Sequence, residues 1–231
     1  MMKTRMLAFL LCLFMLAPAA IGEELFSIVL TVRMDAAPFL LLSDQEENDE
    51  MLLNQGDQVI LLSLGANYCL VEKDGQQGYI ASDMLALLEN TDQPIRVVKA
   101  NVSPTAQGYL TLRDEPKRTG KMLDKLKFGT MLLIMGEEGE FSRVATASQT
   151  GYVMTKYTAE SRIAAGEWRQ IANDDAVNFR SLQEYGERSV MTKLQPGEML
   201  YVFRDEKGWA LAESRGFQGY IVSKYLSDSE K

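Results

Sequence analysis

Short apolar or alternating stretches, separated by clusters of Gly, Asp, Glu, Lys and Asn, recur along the chain with the rhythm of short strands and tight turns. Three segments of equal length repeat that rhythm in register: LNQGDQVILLSLGANYCLVEKDGQQGYIASDML at 53–85, LKFGTMLLIMGEEGEFSRVATASQTGYVMTKYT at 126–158 and LQPGEMLYVFRDEKGWALAESRGFQGYIVSKYL at 194–226. Each begins with a leucine and a turn glycine and continues into an apolar strand, as at Met199 to Phe203. A polar turn follows, then a strand led by Tyr68, Phe141 or Trp209, a second turn, and a closing strand that begins Gly-Tyr-Ile or Gly-Tyr-Val. Gly56, Gly129 and Gly197 each stand 22 residues before the closing Gly78, Gly151 and Gly219. Chance would supply Gly-Tyr-[Ile/Val] roughly 0.06 times in a chain of this composition, so three copies in register mean a structural repeat. Asp74-Gly75 is the dipeptide of a two-residue hairpin turn, in which both central residues need positive φ.

Two copies carry a further strand upstream. LTLRDEP at 110–116 and VNFRSLQ at 177–183 place Arg113 and Arg180 after an apolar-polar-apolar triplet, 16 and 17 residues before the turn glycine. The first copy has FLLLSDQEENDE there and no arginine.

With its VNFR start, L-x-x-G turn, WALA strand and GYIVSKYL close, the pattern resembles the bacterial SH3-like domain family. The third copy carries the likeness most fully; the first departs at the arginine strand and has Met84 where the closing tyrosine would stand. The resemblance implies an all-β chain of three tandem small SH3-like barrels of about five strands each, over 26–88 (divergent), 95–158 and 164–227. Linkers at 87–94 and 159–166 are short, which predicts an elongated or partly packed row of barrels with separate cores.

Residues 1–22 change the picture of location. Lys3 and Arg5 precede an apolar run from Met6 to Ala17, and small residues around Ala19, Ala20 and Gly22 follow. That is the order of a secretory signal peptide, with cleavage after Gly22 expected and a retained anchor as the alternative. A secreted or cell-envelope protein is the expectation, with no membrane contact beyond the signal peptide. Cleavage takes the formal charge from -8 to -10 and leaves Cys69 as the one cysteine, inside the apolar run YCLVEK, where a buried strand residue is expected. An acidic chain without basic clusters is not expected to bind nucleic acid.

Candidate chemistry is narrowed most by one absence: the sequence contains no histidine. Ser-His-Asp and Cys-His hydrolase arrangements and histidine zinc sites are thereby excluded in this polypeptide. Paired carboxylates could still hydrolyse a sugar, but acidic residues spread over turns are expected to be solvated, so no enzymatic activity, cofactor or metal is expected. The densest acidic run, DQEENDE at 44–50, lacks the glycine of a calcium loop and reads as a solvated loop. Asn101-Val102-Ser103 matches a glycosylation acceptor.

The remaining candidates for recognition are aromatic and arginine side chains at strand ends: Arg180, Trp209, Tyr220 and Tyr225 in the third copy, Arg113, Tyr152 and Tyr157 in the second. Barrel interiors also consume aromatic rings, so core filling competes with ligand binding for each of them. The resemblance implies a non-catalytic exported protein that binds cell-wall peptidoglycan, through its peptide part. The alternative is an interaction or scaffold module docking an exported protein partner.

Overall fold

The computed structural model describes residues 27–42, 50–102 and 108–227. The expected signal peptide, the acidic run at 44–49 and Ser103 lie outside them. The described residues form an all-β structure with no α-helix, in three antiparallel sheets that follow one another along the chain.

The sheets share one strand order. In the first it runs Glu50–Leu53, Ala37–Leu41, Gln76–Ala81, Tyr68–Lys73, Gln58–Ser63, Val29–Val32, Leu85–Leu87. In the second the equivalents are Met122–Lys127, Tyr109–Arg113, Thr150–Met154, Phe141–Ala145, Met131–Glu138, Arg96–Ala100 and Thr158–Glu160. In the third they are Val190–Leu194, Val177–Arg180, Phe217–Val222, Trp209–Ser214, Met199–Glu206 and Glu167–Gln170, with an Ile171–Leu226 bridge in place of the last strand. The expected closed barrels of about five strands are therefore not what the pairing shows: the orders are open, with seven, seven and six strands. The additional members lie upstream of the repeated segments or begin at their last residue. Each sheet takes in a leading strand at Val29–Val32, Arg96–Ala100 or Glu167–Gln170, and the first two a trailing one as well.

Hydrogen-bond register repeats down to its irregularities. A bulge falls between Leu61 and Ser63, between Ile134 and Gly136, and between Val202 and Arg204, beginning five residues after the turn glycine each time. An extra residue bends the strand and lets a short sheet curl over its own core. Two-residue turns join neighbouring strands at Asp74-Gly75, Lys207-Gly208 and Arg215-Gly216, every residue of them at positive φ. Asp74-Gly75 was legible in advance; the other two place a long cationic side chain where Asn or Asp is usual.

The two repeated glycines serve different needs. Gly56, Gly129 and Gly197 have φ of 91°, 79° and 78°, where a side chain is strained. The closing glycines are not at positive φ; they are small because the neighbouring strand's backbone passes too close. A Cβ would lie 2.5 Å from the Leu40 carbonyl oxygen at Gly78 and 2.6 Å from that of Arg113 at Gly151; at Gly219 it would overlap the Arg180 carbonyl and the Met191 methyl.

Three apolar clusters make up the core. Phe39, Leu30 and Ile80 centre the first, Leu112, Leu132 and Val144 the second, and Phe179, Leu194 and Leu200 the third. The first also takes in Met131, Leu133 and Ala145 from the second sheet. Strand residues alternate faces, so Leu132 and Ile134 fill their own sheet's core while Met131 and Leu133 cross to the neighbour's. A strand buried on both faces reads as an unbroken apolar run, which accounts for MLLI at 131–134.

Backbone pairing joins the second sheet to the third. Met131 N–H donates to Gly216 O (2.7 Å), Gln218 N–H to Gly129 O (2.9 Å), and Thr130 bridges Phe217. Lys99 Nζ donates to Gln218 Oε1 at 3.0 Å, and burial, with Arg162 nearby, holds its ammonium below the usual lysine range.

Candidate functional site

The first and third sheets meet along a cleft of about 440 Å³. One wall comes from the first sheet's 63–65 turn with Tyr68 and Tyr79, the other from Trp168, the 195–199 turn and the Glu213 to Arg215 hairpin. Trp168 is the hub: its ring centroid lies 4.3 Å from Tyr79, 5.2 Å from Tyr68 and 5.4 Å from Tyr201. Tyr201 is held in turn by its hydroxyl, which accepts the Gly166 N–H at 2.9 Å. Burial pushes the Tyr79 phenol up to about 12, so it stays neutral near neutrality.

Two carboxylates line the cleft, and both are committed to donors of its walls. Glu198 receives Arg215 Nε at 2.6 Å, the Gln195 N–H at 3.0 Å and the Ser214 hydroxyl at 3.2 Å. Glu213, only 5% exposed, crosses from the third sheet to the first. Its Oε2 accepts the Ala66 N–H at 2.9 Å, and its Oε1 the N–H groups of Asn67 (2.9 Å) and Tyr68 (3.2 Å). Burial drives its carboxyl up to about 7, against the opposing pull of these three N–H groups. Cys69, one residue further on, is fully buried, and burial raises its thiol to about 11, the state of an inert structural cysteine.

None of the seven residues singled out from sequence lines this cleft. Arg180 and Tyr220 are instead partners on adjacent strands, as are Arg113 and Tyr152. By that register the first sheet's counterpart is Leu40, opposite Tyr79. Arg180 is 8% exposed, and its Nη1 donates to Gly186 O at 2.7 Å and to Ser189 Oγ at 2.9 Å; Arg113 Nη1 donates to Gly120 O at 2.7 Å. Both arginines thus pin the loop that follows their strand. Arg180→Ala is expected to lower unfolding free energy by about 2–3 kcal/mol and Arg113→Ala by about 1–2 kcal/mol, since each removes charge-assisted bonds to backbone. Urea titrations check this, and unchanged midpoints in both variants would reject the loop-pinning role.

The remaining residues are more open. Trp209 packs against Tyr185 at 5.2 Å, and Tyr185, 75% exposed and overlooked in the sequence, lies 5.9 Å from the Arg180 guanidinium carbon. Tyr225 packs against the third core with Lys224 Nζ over its ring at 4.9 Å. Tyr157 is 40% exposed beneath Lys156, and the Tyr152 hydroxyl donates to Glu138 at 3.1 Å, a bond that raises its pKa. The cleft residues were hidden for separable reasons. Tyr68 and Tyr79 were visible as repeat positions, whereas Trp168 and Glu213 owe their place to a contact between units that no within-repeat pattern encodes.

No family model matches the chain. A protein of Bacillus subtilis (strain 168), "Putative N-acetylmuramoyl-L-alanine amidase YrvJ", is 23% identical over 167 residues, covering 67% of this chain and 32% of its own length. The chain thus spans about a third of that relative. Among solved structures, NlpC2 and NlpC1 from Trichomonas vaginalis are each 10% identical, with TM-scores of 0.26 and 0.25. They cover 89% and 90% of this chain, and 100% and 96% of theirs.

The amidase likeness corrects the expectation of a non-catalytic exported binder, its scaffold alternative, and the expectation of no enzymatic activity. The physical reason lies in how far composition reaches. A histidine count removes histidine-dependent mechanisms only; it does not address hydrolysis by other groups.

Proposed function

We propose that the protein acts in cell-wall hydrolysis, with peptidoglycan as its substrate and N-acetylmuramoyl-L-alanine amide cleavage as the reaction class. The observation that carries this reading is the likeness to the Bacillus amidase over 67% of the chain. In that reaction water adds across an amide, leaving a carboxyl group on the muramoyl side and a new amino group on alanine. Such a polymer is assigned here to the cleft between the first and third sheets. Its aromatic wall of Tyr68, Tyr79 and Trp168 offers apolar faces to sugar or peptide. Location at the cell envelope belongs to the same proposal, as does an SH3-like character for each repeated unit. No helix among the described residues is long and apolar enough to cross a membrane.

Incubating the purified full chain with purified peptidoglycan sacculi and labelling new amino groups tests the reaction. Alanine amino termini should accumulate with time, and none should appear in a heat-denatured control. Sacculi that a known amidase digests but this chain leaves without new amino termini would overturn the reading. Leu42 stands exposed at the cleft rim, so Leu42→Arg should slow release by about tenfold without changing thermal stability if the cleft takes the substrate.

A further inference from the structure

A second cleft, of about 320 Å³, lies where all three units converge. Thr130, Met131, Gly216 and Phe217, whose backbones pair the second sheet with the third, line it on one side. Leu62, Ser63 and Leu64 of the first sheet line it on another. It abuts the aromatic cleft, since Ser63, Leu64 and Arg215 line both. A Cβ on Gly216 would stand 3.9 Å from Ser63 Oγ, so the third sheet's 215–216 turn meets the first sheet at the boundary between the two clefts.

Charge sets the two clefts apart. The second is lined by Lys125, Lys127 and Arg215 against a single carboxylate, Asp124. Asp124 is occupied locally: its Oδ1 accepts the Lys125 N–H at 2.7 Å and its Oδ2 accepts from Gln149 Nε2 at 3.2 Å. Lys125 and Lys127 alternate with Leu126, which enters the second core, so both ammonium groups stay outside that core. Lys127 Nζ is steadied by donating to Met191 O at 2.9 Å, and Lys125 Nζ lies 4.8 Å from the Tyr109 ring centroid. Among the described residues neither ammonium has a carboxylate partner, and each keeps N–H donors to spare. Arg215 gives Nε to Glu198 and Nη1 to Lys193 O, which fixes its guanidinium at the boundary. In a chain of formal charge -8, a concave surface lined mainly by cations focuses its field on an anion at short range.

We propose that the second cleft is a carboxylate subsite, in which Lys125, Lys127 and Arg215 take the terminal carboxylate of a peptide whose other end lies in the aromatic cleft. The identity of that peptide rests on the amidase reading. A peptide joined to a muramoyl group through its alanine nitrogen runs away from the sugar and ends in a free carboxylate. A substrate seated with its sugar end against Trp168 therefore carries that charge toward the neighbouring cleft. An extended peptide advances about 3.3–3.6 Å per residue, so a few residues cross the boundary at Ser63 and Arg215. Thr130, Thr146 and Ser148 add neutral hydroxyl groups for its backbone. Because its walls come from three different units, the subsite exists only when all three are assembled.

Acetyl-Ala-Ala-Ala, which carries one charge and no muramoyl amide, is the probe. Titrated into the isotope-labelled full chain, it should shift the backbone amide signals of residues 125–127, 146–148 and 215–217. Its C-terminal carboxamide should bind about tenfold more weakly, since it forfeits the charge-assisted bonds. Lys125→Gln combined with Lys127→Gln should weaken binding of the free acid by about tenfold and leave the thermal midpoint within about 2 °C. Equal binding of acid and carboxamide by the unsubstituted chain, or shifts that fall outside the cleft, overturns the subsite. Inorganic phosphate that gives the same shifts with equal affinity at matched ionic strength also overturns it, because the cleft would then select no peptide. The titration involves no hydrolysis. Tripeptide binding without attack on sacculi keeps the subsite and rejects the reaction, and attack on sacculi without tripeptide binding does the reverse.

Discussion

Gly219→Ala is expected to cost at least about 3 kcal/mol of stability, at or above the upper end of what a single added methyl group usually does in a packed site. The added carbon would overlap the Arg180 carbonyl and the Met191 methyl. Met191 can move, but the carbonyl belongs to a paired strand, so relief requires Val177–Arg180 to separate from Phe217–Val222. The pairing there is a single register contact, Arg180 opposite Tyr220, and has little to spare. Gly208→Ala is the control. It sits at φ 79° with no atom within 4 Å of a new Cβ, so it pays only the left-handed backbone strain of about 1 kcal/mol. Urea unfolding followed by tryptophan fluorescence should place the two midpoints well apart. Equal losses would reject the close approach of the neighbouring strand as the reason for the closing glycine.

That contrast marks what the sequence could and could not disclose. Spacing of Gly56, Gly129 and Gly197 to the closing glycines revealed a threefold unit and its strand-turn rhythm, because local patterns are written within one copy. The reason for the closing glycine was not legible, since it depends on a strand about 40 residues upstream whose carbonyl passes beneath it. Extra strands such as Arg96–Ala100 were missed for a related cause: they lie inside the expected units but upstream of the repeated segments, and become members of a sheet only when strands such as Met131–Glu138 pair with them. Arg180 and Arg113 were noticed for the right reason, their recurrence, yet the structure gives each a loop carbonyl as its partner. Glu213 could not have been singled out at all. In sequence it is one of 32 acidic residues, and only the docking of the 65–68 turn makes it a buried, shared group.

Phe39→Ala and Phe179→Ala should each cost about 3–5 kcal/mol, because both rings are fully buried and their removal leaves cavities in tight cores. Where the loss is felt should differ. Phe39 belongs to the cluster that includes Met131, Leu133 and Ala145 of the second sheet, so its cavity weakens an apolar contact that spans two units. Phe179 belongs to a cluster confined to the third sheet, which is joined to its neighbours by hydrogen bonds such as those of Glu213 and Gln218 and by the ring contacts of Trp168 with Tyr68 and Tyr79, outside that cluster. Apolar contacts couple units through shared volume, whereas a few interfacial hydrogen bonds contribute only about 1 kcal/mol each and let a unit open on its own. Native-state hydrogen exchange resolves the two cases. In Phe39→Ala, strands Gln76–Ala81 and Met131–Glu138 should lose protection together, while Met199–Glu206 keeps most of its own. In Phe179→Ala the third sheet alone should open more readily. Equal loss across all three sheets in both variants would show one cooperative unit, and the hydrogen-bonded junction at Glu213 would then have to be as strong a coupling as the shared core.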